Sequence, residues 1–236
     1  MSAAPTRPQF RVLPATEKDC PGMARVEVLS FSDVVNEPQE NSIVRIMLGP
    51  PTEQCIEVRT KNFIDRFRTH PATRIWKAVV DDENEADGEK IVACGLWKFF
   101  TTPEKIPEWK DITEWPLEVS PDACNEFAGA ITEMRRKYMD NKSYGFLEIL
   151  GTLPEYRGCG IASAMVKVGL EQAKEEGLKE FWINASIDAE GLYRKYGFKQ
   201  VDAVKRDISK YGGVGNSNIM GMWMAFDSSM SPPVYT

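Results

Sequence analysis

The chain has 236 residues, 29 Lys+Arg against 35 Asp+Glu, a net charge of −6 and 42% hydrophobic residues. That length and apolar content suit one globular domain with a sizeable core, and an acidic balance repels phosphate backbones, which argues against nucleic acid as a partner. No stretch approaches the apolar length of a membrane span, and residues 1–14 lack the basic and apolar runs of a signal peptide, so a cytosolic location, with the nucleus as a further compartment, is expected. The cysteines Cys20, Cys55, Cys94, Cys124 and Cys159 form no CxxC pair, which speaks against a disulfide framework or a zinc knuckle and for reduced thiols.

In chain order, the tails 1–9 and 227–236 are rich in Ser, Pro and Ala and are expected to fray. A strand is predicted over 10–13. A helix follows over 21–33, with Met23, Val26, Leu29 and Phe31 inward. Residues 36–49 read as a loop, and 52–69 as a second helix with Ile56, Ile64 and Phe67 on its apolar side and His70 at its end, a surface residue at the negative pole of the dipole. Runs 75–80 and 91–99 flank an acidic, glycine-containing turn at 81–89, the pattern of an antiparallel hairpin. Residues 101–119 are irregular, and Trp97, Trp109 and Trp115 read as core or lid packing. Ser120-Pro121-Asp122 is a helix start, with an N-cap, a proline in the first turn and then an acid. That helix runs to about 139 with Phe127, Ile131, Met134 and Tyr138 on one side. Then come a strand at 144–153, a helix at 158–176 closed by Gly177, a strand at 178–185, a short helix at 189–196, and strands near 198–201 and 219–226. No internal repeat is visible. Hairpins beside crossovers predict a mixed α/β sheet in a single domain, 1–236.

One string carries chemistry: Pro154-Glu155-Tyr156-Arg157-Gly158-Cys159-Gly160-Ile161-Ala162-Ser163, between a strand and a helix. Two glycines permit a tight turn with exposed amides, and the first helical turn has amide hydrogens with no internal partner at the positive end of the dipole. Such a loop cradles anions, a pyrophosphate above all. It is not a P-loop, which needs GxxxxGK[ST], nor a Rossmann loop, whose third glycine falls at Ser163 and whose acidic residue is missing from the strand ending Ile183-Asn184-Ala185-Ser186. The pattern [RQ]xxGx[GA] of a coenzyme-A loop is met at Arg157, Gly160 and Ala162.

With this loop, an amphipathic helix, a strand and then Ala189-Glu190-Gly191-Leu192-Tyr193-Arg194-Lys195-Tyr196-Gly197-Phe198, the sequence resembles the GNAT superfamily of N-acetyltransferases, most clearly over 144–201. The long segment 101–141 with its own helix resembles a subgroup widespread in fungi. The resemblance implies a central, mostly antiparallel sheet splayed at a cofactor slot, and acetyl-coenzyme A as cofactor. It implies that Gly158, Cys159, Gly160, Ile161, Ala162 and Ser163 hold the pyrophosphate through their amides, with Arg157 opening the loop. Leu150 and Thr152 would pair with pantetheine, and the Leu150 amide would face the thioester oxygen. Tyr193 stands where the family often has its general acid, and Glu148 where some members have a base. Glu148 is expected, by simple alternation, to share a face with Phe146 and Leu150. Ser186 replaces a frequent asparagine at a cofactor-touching position. The implied reaction is direct attack of a neutral primary amine on the thioester, without metal or covalent enzyme intermediate. Segment 101–141 reads as a wall or lid, which favours a small-molecule amine over a protein N-terminus or lysine. A non-catalytic coenzyme-A-binding module is the rival from another class. On the residues alone, Tyr193 as a half-buried core side chain and Glu148 as a structural hydrogen-bonding group stay open.

Overall fold

The computed structural model describes residues 8–32, 46–47, 49–85, 87–113, 115 and 119–233. Most of the loop expected at 36–49 lies outside the described residues, as do 1–7 and 234–236 of the tails expected to fray. The strands are β1 (Arg11–Pro14), β2 (Thr73–Asp81), β3 (Glu89–Glu104), β4 (Lys142–Thr152), β5 (Glu180–Ser186), β6 (Lys199–Asp207) and β7 (Asn216–Ala225). The helices are α1 (Cys20–Ser32), α2 (Glu53–Thr69), α3 (Pro121–Met139), α4 (Ile161–Glu175) and α5 (Glu190–Arg194).

Local chemistry sets several of these boundaries. Thr52 caps α2 by accepting from the Cys55 amide at 3.3 Å, and Ser120 caps α3 with Pro121 in the first turn. Gly177, at φ +80°, closes α4: the Leu178 amide donates to Ala173 and the Gly177 amide to Lys174, a Schellman ending. The helix start predicted at 158 falls instead at Ile161, because Gly158 and Gly160 both hold positive φ ahead of it.

The strands form a seven-stranded sheet in the order β1-β2-β3-β4-β5-β7-β6. All neighbours are antiparallel except β4 and β5, which are parallel and joined through α4. The helix α1 packs on one face over β3 and β4, with α2 packed against α1; a side chain added at Gly151 of β4 would meet Ser30 Oγ of α1 at 2.5 Å. The helix α3 covers β5, β7 and β6 on the same face, through Met134 and Tyr138 against Trp182. The opposite face carries α4, where the Trp97 ring lies so close to Gly169 that a Cβ has no room. Trp97 is 1% exposed and meets Phe181 edge to face at 6.3 Å, so it is core, as expected. Two strands outrun their sequence signal: β3 continues to Glu104, and β6, predicted at 198–201, runs to Asp207 as an edge strand. The end of β6, Lys205-Arg206-Asp207, is exposed, so it has no buried side to alternate. Among the described residues no helix is long and apolar enough to cross a membrane.

Candidate active site

The strands β4 and β5 pair only at Gly145, Phe146 and Leu147, against Phe181, Trp182 and Ile183, and part beyond that point. On its other edge β4 slips register against β3. Leu147 faces Trp97 and Ile149 faces Leu96, which leaves Glu148 as the extra residue of a β-bulge. The bulge breaks the alternation. Leu150 pairs with Gly95 and, with Met165 of α4, crowds the place where a Gly95 side chain would be. Glu148 reaches Arg66 of α2 on the other face. Glu148 and Leu150 therefore do not share a face, and the simple alternation expected for this strand is corrected by the extra residue.

A cavity of about 330 Å3 fills the parting. Of the residues picked out in the sequence, Leu150, Thr152, Arg157, Ala162, Ser186 and Tyr193 line it. Leu192, from the Ala189–Phe198 string, lines it too, as do Ser30 at the C-terminal end of α1 and Gly151, which had no motif to announce them. Glu148 is not in the lining; it stands behind it, on the side of α1 and α2.

The mouth of the cavity is the glycine loop. Gly158 and Gly160 hold φ of +74° and +89°, and nothing lies within 4 Å of the position a Cβ would take at either, so the loop presents bare backbone to open space. Ile161 is buried and begins α4, and Ser163 in its first turn is fixed by Tyr196, whose hydroxyl bonds the Ser163 carbonyl at 2.6 Å and lies 2.8 Å from Ser163 Oγ. The half-buried Cys159 turns its Sγ to the Arg157 carbonyl at 3.6 Å. The Arg157 guanidinium donates to the Ser30 carbonyl at 2.6 Å, tying the loop to the end of α1. A long ligand with a bulky anionic segment fits this shape: exposed amides and a helix N-terminus at the mouth, a narrow apolar gap behind. The gap also holds a polar atom in waiting, since Thr152 Oγ1 is buried and has no hydrogen-bond partner among the described residues.

Tyr193 owes its place to a helix ending. Gly197 at φ +90° follows α5; the Phe198 amide donates to the Tyr193 carbonyl and the Gly197 amide to Arg194. This Schellman closure sets the Phe198 ring against the Tyr193 ring at 5.9 Å, the apolar contact such endings favour. The spacing from Tyr193 to Gly197-Phe198 is thus a device for orienting the tyrosine. Tyr193 is 6% exposed, and burial raises the pKa of its hydroxyl. Among the described residues that hydroxyl makes no hydrogen bond, which leaves it directed at whatever enters the cavity.

Behind β4 stands a cluster of charges on four elements. Glu148 Oε1 accepts from Arg66 at 2.8 Å and Glu148 Oε2 lies 3.0 Å from Lys98 Nζ. Burial alone would raise the pKa of Glu148, but the charges of Arg66 and Lys98 outweigh it and hold the carboxyl below its ordinary value. Beside it lies Glu27 of α1, 5% exposed, with Oε2 buried and without a hydrogen bond among the described residues. Its pKa is raised, chiefly by burial and further by Glu148, against the pull of Arg59 and Arg66. Sequence reading passed over Glu27, because a charged residue between apolar positions of an amphipathic helix reads as its solvent side.

The sequence profile of the acetyltransferase (GNAT) family matches residues 57–198. Among solved structures, arylalkylamine N-acetyltransferase 2 from Aedes aegypti is 10% identical, with 93% of this chain and 100% of that one aligned at a TM-score of 0.65. A histone acetyltransferase HPA2 and related acetyltransferase from Corynebacterium glutamicum is 20% identical over 96% of this chain and 98% of its own, at a TM-score of 0.55. The putative acetyltransferase yncA from Salmonella typhimurium, solved with its cofactor acetyl-CoA, is 10% identical over 95% and 98%, at 0.51. No curated protein matches the chain in sequence. A profile spanning more than half of the chain, on a mixed sheet parted at a glycine-mouthed slot, places this protein in the GNAT family of acetyltransferases, with acetyl-coenzyme A as its cofactor.

Proposed function

We propose that the protein transfers the acetyl group of acetyl-coenzyme A to the nitrogen of a primary amine carried by a small molecule. The observation that carries the reading is Tyr193, a side chain 6% exposed whose hydroxyl makes no hydrogen bond among the described residues, on the wall of the slot that Leu150 lines from the other side. A module that only bound the cofactor would have no use for a proton donor turned to the slot and left without a bond among the described residues. Amides from Gly158 to Ser163 would hold the pyrophosphate, with the positive end of α4 beneath it. Thr152, and Ser186 at the end of β5, would meet the pantetheine arm. The Leu150 amide would face the thioester oxygen, where one fixed donor contributes roughly 2.7–4 kcal/mol to the barrier. Tyr193 would return a proton to the departing sulfur.

Most amines are protonated at neutral pH, so the acceptor must also lose a proton before it attacks. Glu148, ionised and gripped by Arg66 and Lys98, is a poor base for that proton. The helix α3 stands on the same face of the sheet as α1, and read as a wall on the acceptor side it favours a compact amine. Free coenzyme A release should be followed with a panel: an arylalkylamine, a polyamine, an amino sugar and a lysine-bearing peptide. Turnover with a small amine and not the peptide is the expected result. Turnover with the peptide alone overturns the substrate class, and tight cofactor binding with no turnover on any amine overturns the transferase reading.

A further inference from the structure

We propose that Glu27 of α1 is the carboxylate that takes the proton from the acceptor amine, with Glu148, pinned by Arg66 and Lys98, as its fixed negative neighbour. The inference rests on the amine-acetyltransferase reading above. Its starting point is an anomaly in α1. A carboxylate is rarely buried without partners, yet Glu27 is 5% exposed and its Oε2 meets no donor among the described residues. Structural carboxylates in cores are bonded on both oxygens. One left open inside a protein costs stability, and such groups collect at sites of chemistry.

Position is the second argument. The helix α1 crosses β4 at Gly151, where a Cβ would come within 3.8 Å of the Glu27 Cα and 2.5 Å of Ser30 Oγ. Ser30 and Gly151 line the slot, and Ser30 Oγ donates to the Glu27 carbonyl at 3.1 Å, so Glu27 stands one helical turn from the slot wall on the same side of α1. The glycine lets the helix approach this closely.

Among the described residues its charged surroundings come from α2 and β4. Arg59 and Arg66 face it from α2 and Glu148 from β4. The Cys94 thiol, donating to the Met23 carbonyl at 3.7 Å, lies on the β3 side, with Lys98 beyond Glu148. Arg66 is engaged by Glu148, and Arg59 also donates to the Met47 carbonyl at 3.3 Å. The pair of carboxylates divides the work: Glu148 holds the cations and stays charged, while Glu27 keeps an oxygen free and the higher proton affinity of the two.

The step balances as follows. Glu27 takes one proton from the ammonium ion and becomes a neutral acid. The nitrogen lone pair forms the C–N bond, the C–S bond breaks with its electrons to sulfur, and sulfur receives one proton from Tyr193. The second nitrogen proton restores Tyr193 through water, and Glu27 releases its proton to solvent before the next cycle.

The test is the acid limb of kcat/KM, measured on the full chain with whichever amine of the panel turns over fastest. The base must be ionised, so activity falls as pH drops through the pKa of Glu27, and that limb should sit above the ordinary carboxylate range. Glu27→Gln should lower kcat/KM on the order of 10²–10⁴-fold and abolish the limb, with acetyl-coenzyme A affinity unchanged. Two neighbours keep the idea falsifiable if that variant folds poorly. Glu148→Gln removes a negative charge and should move the limb to lower pH; Arg59→Met removes a positive one and should move it to higher pH. A wild type that acetylates the amine while Glu27→Gln keeps both rate and limb, or limbs that stay fixed in both neighbour variants, overturns the role of Glu27 and leaves the transferase reading standing.

Discussion

The two ends of the slot are built from different material. The phosphate end is backbone: two glycines at positive φ, bare amides and a helix start, with open space where side chains would project. The acceptor end we propose is side chain, standing behind the lining: Glu27, Glu148, Arg59, Arg66 and Lys98, brought from α1, β4, α2 and β3. A backbone cradle depends on which conformations the residues permit, so it tolerates little and looks alike in every chain that makes one. A side-chain cluster depends on tertiary placement, so it can be rebuilt for a new acceptor without disturbing the cradle.

The largest effect is expected between the two ends. Tyr193→Phe keeps the ring against Phe198 and deletes only the hydroxyl. We expect kcat to fall on the order of 10²–10⁴-fold, with cofactor affinity and melting temperature near wild type, because no hydrogen bond among the described residues is lost. Stopped assays, calorimetry and thermal melts measure the three quantities. A drop in melting temperature with full activity would make Tyr193 structural. At the phosphate end, Gly160→Asp sets a side chain and a negative charge where φ is +89°. Repulsion of a few kcal/mol at an effective dielectric near 20 corresponds to a loss of affinity on the order of 10²–10³-fold. Titration calorimetry on the folded variant decides it, and unchanged affinity would break the backbone half of the comparison. The smallest effect is expected at Thr152→Val. The hydroxyl it removes has no partner among the described residues, so stability should hold or rise slightly, while acetyl-coenzyme A affinity should weaken by about 1 kcal/mol, roughly fivefold. Opposite responses of melting temperature and affinity are the mark of a group kept for a ligand.

The same division explains what the sequence revealed. The glycine loop and the Tyr193-to-Phe198 spacing were legible because each is local: left-handed backbone calls for glycine, and a Schellman ending fixes which residue its apolar partner touches. The cap at Ser120 and the hairpin between β2 and β3 were legible for the same reason. The bulge at Glu148 was not, because a register slip is decided by pairing with β3, which no run of β4 residues encodes. Glu27 was hidden by its own helix. The helix α1 is buried on more than one side, by the sheet and by α2, so polarity at a position no longer reports exposure. The end of β6 was missed because an exposed edge strand carries no alternation to read.

The distribution of sulfur gives the cradle its own reporter. Of the five cysteines, Cys20, Cys55, Cys94 and Cys124 are buried, and burial lifts the thiols of Cys20 and Cys124 to about 11, far from the reactive thiolate. Cys159, between the two glycines, is the one with surface to offer. An alkylating dye added to the native protein should therefore mark one position, identifiable by peptide mapping. Saturating coenzyme A should slow that labelling by covering it, so the rate of dye uptake reads occupancy directly, with no acceptor amine in the tube.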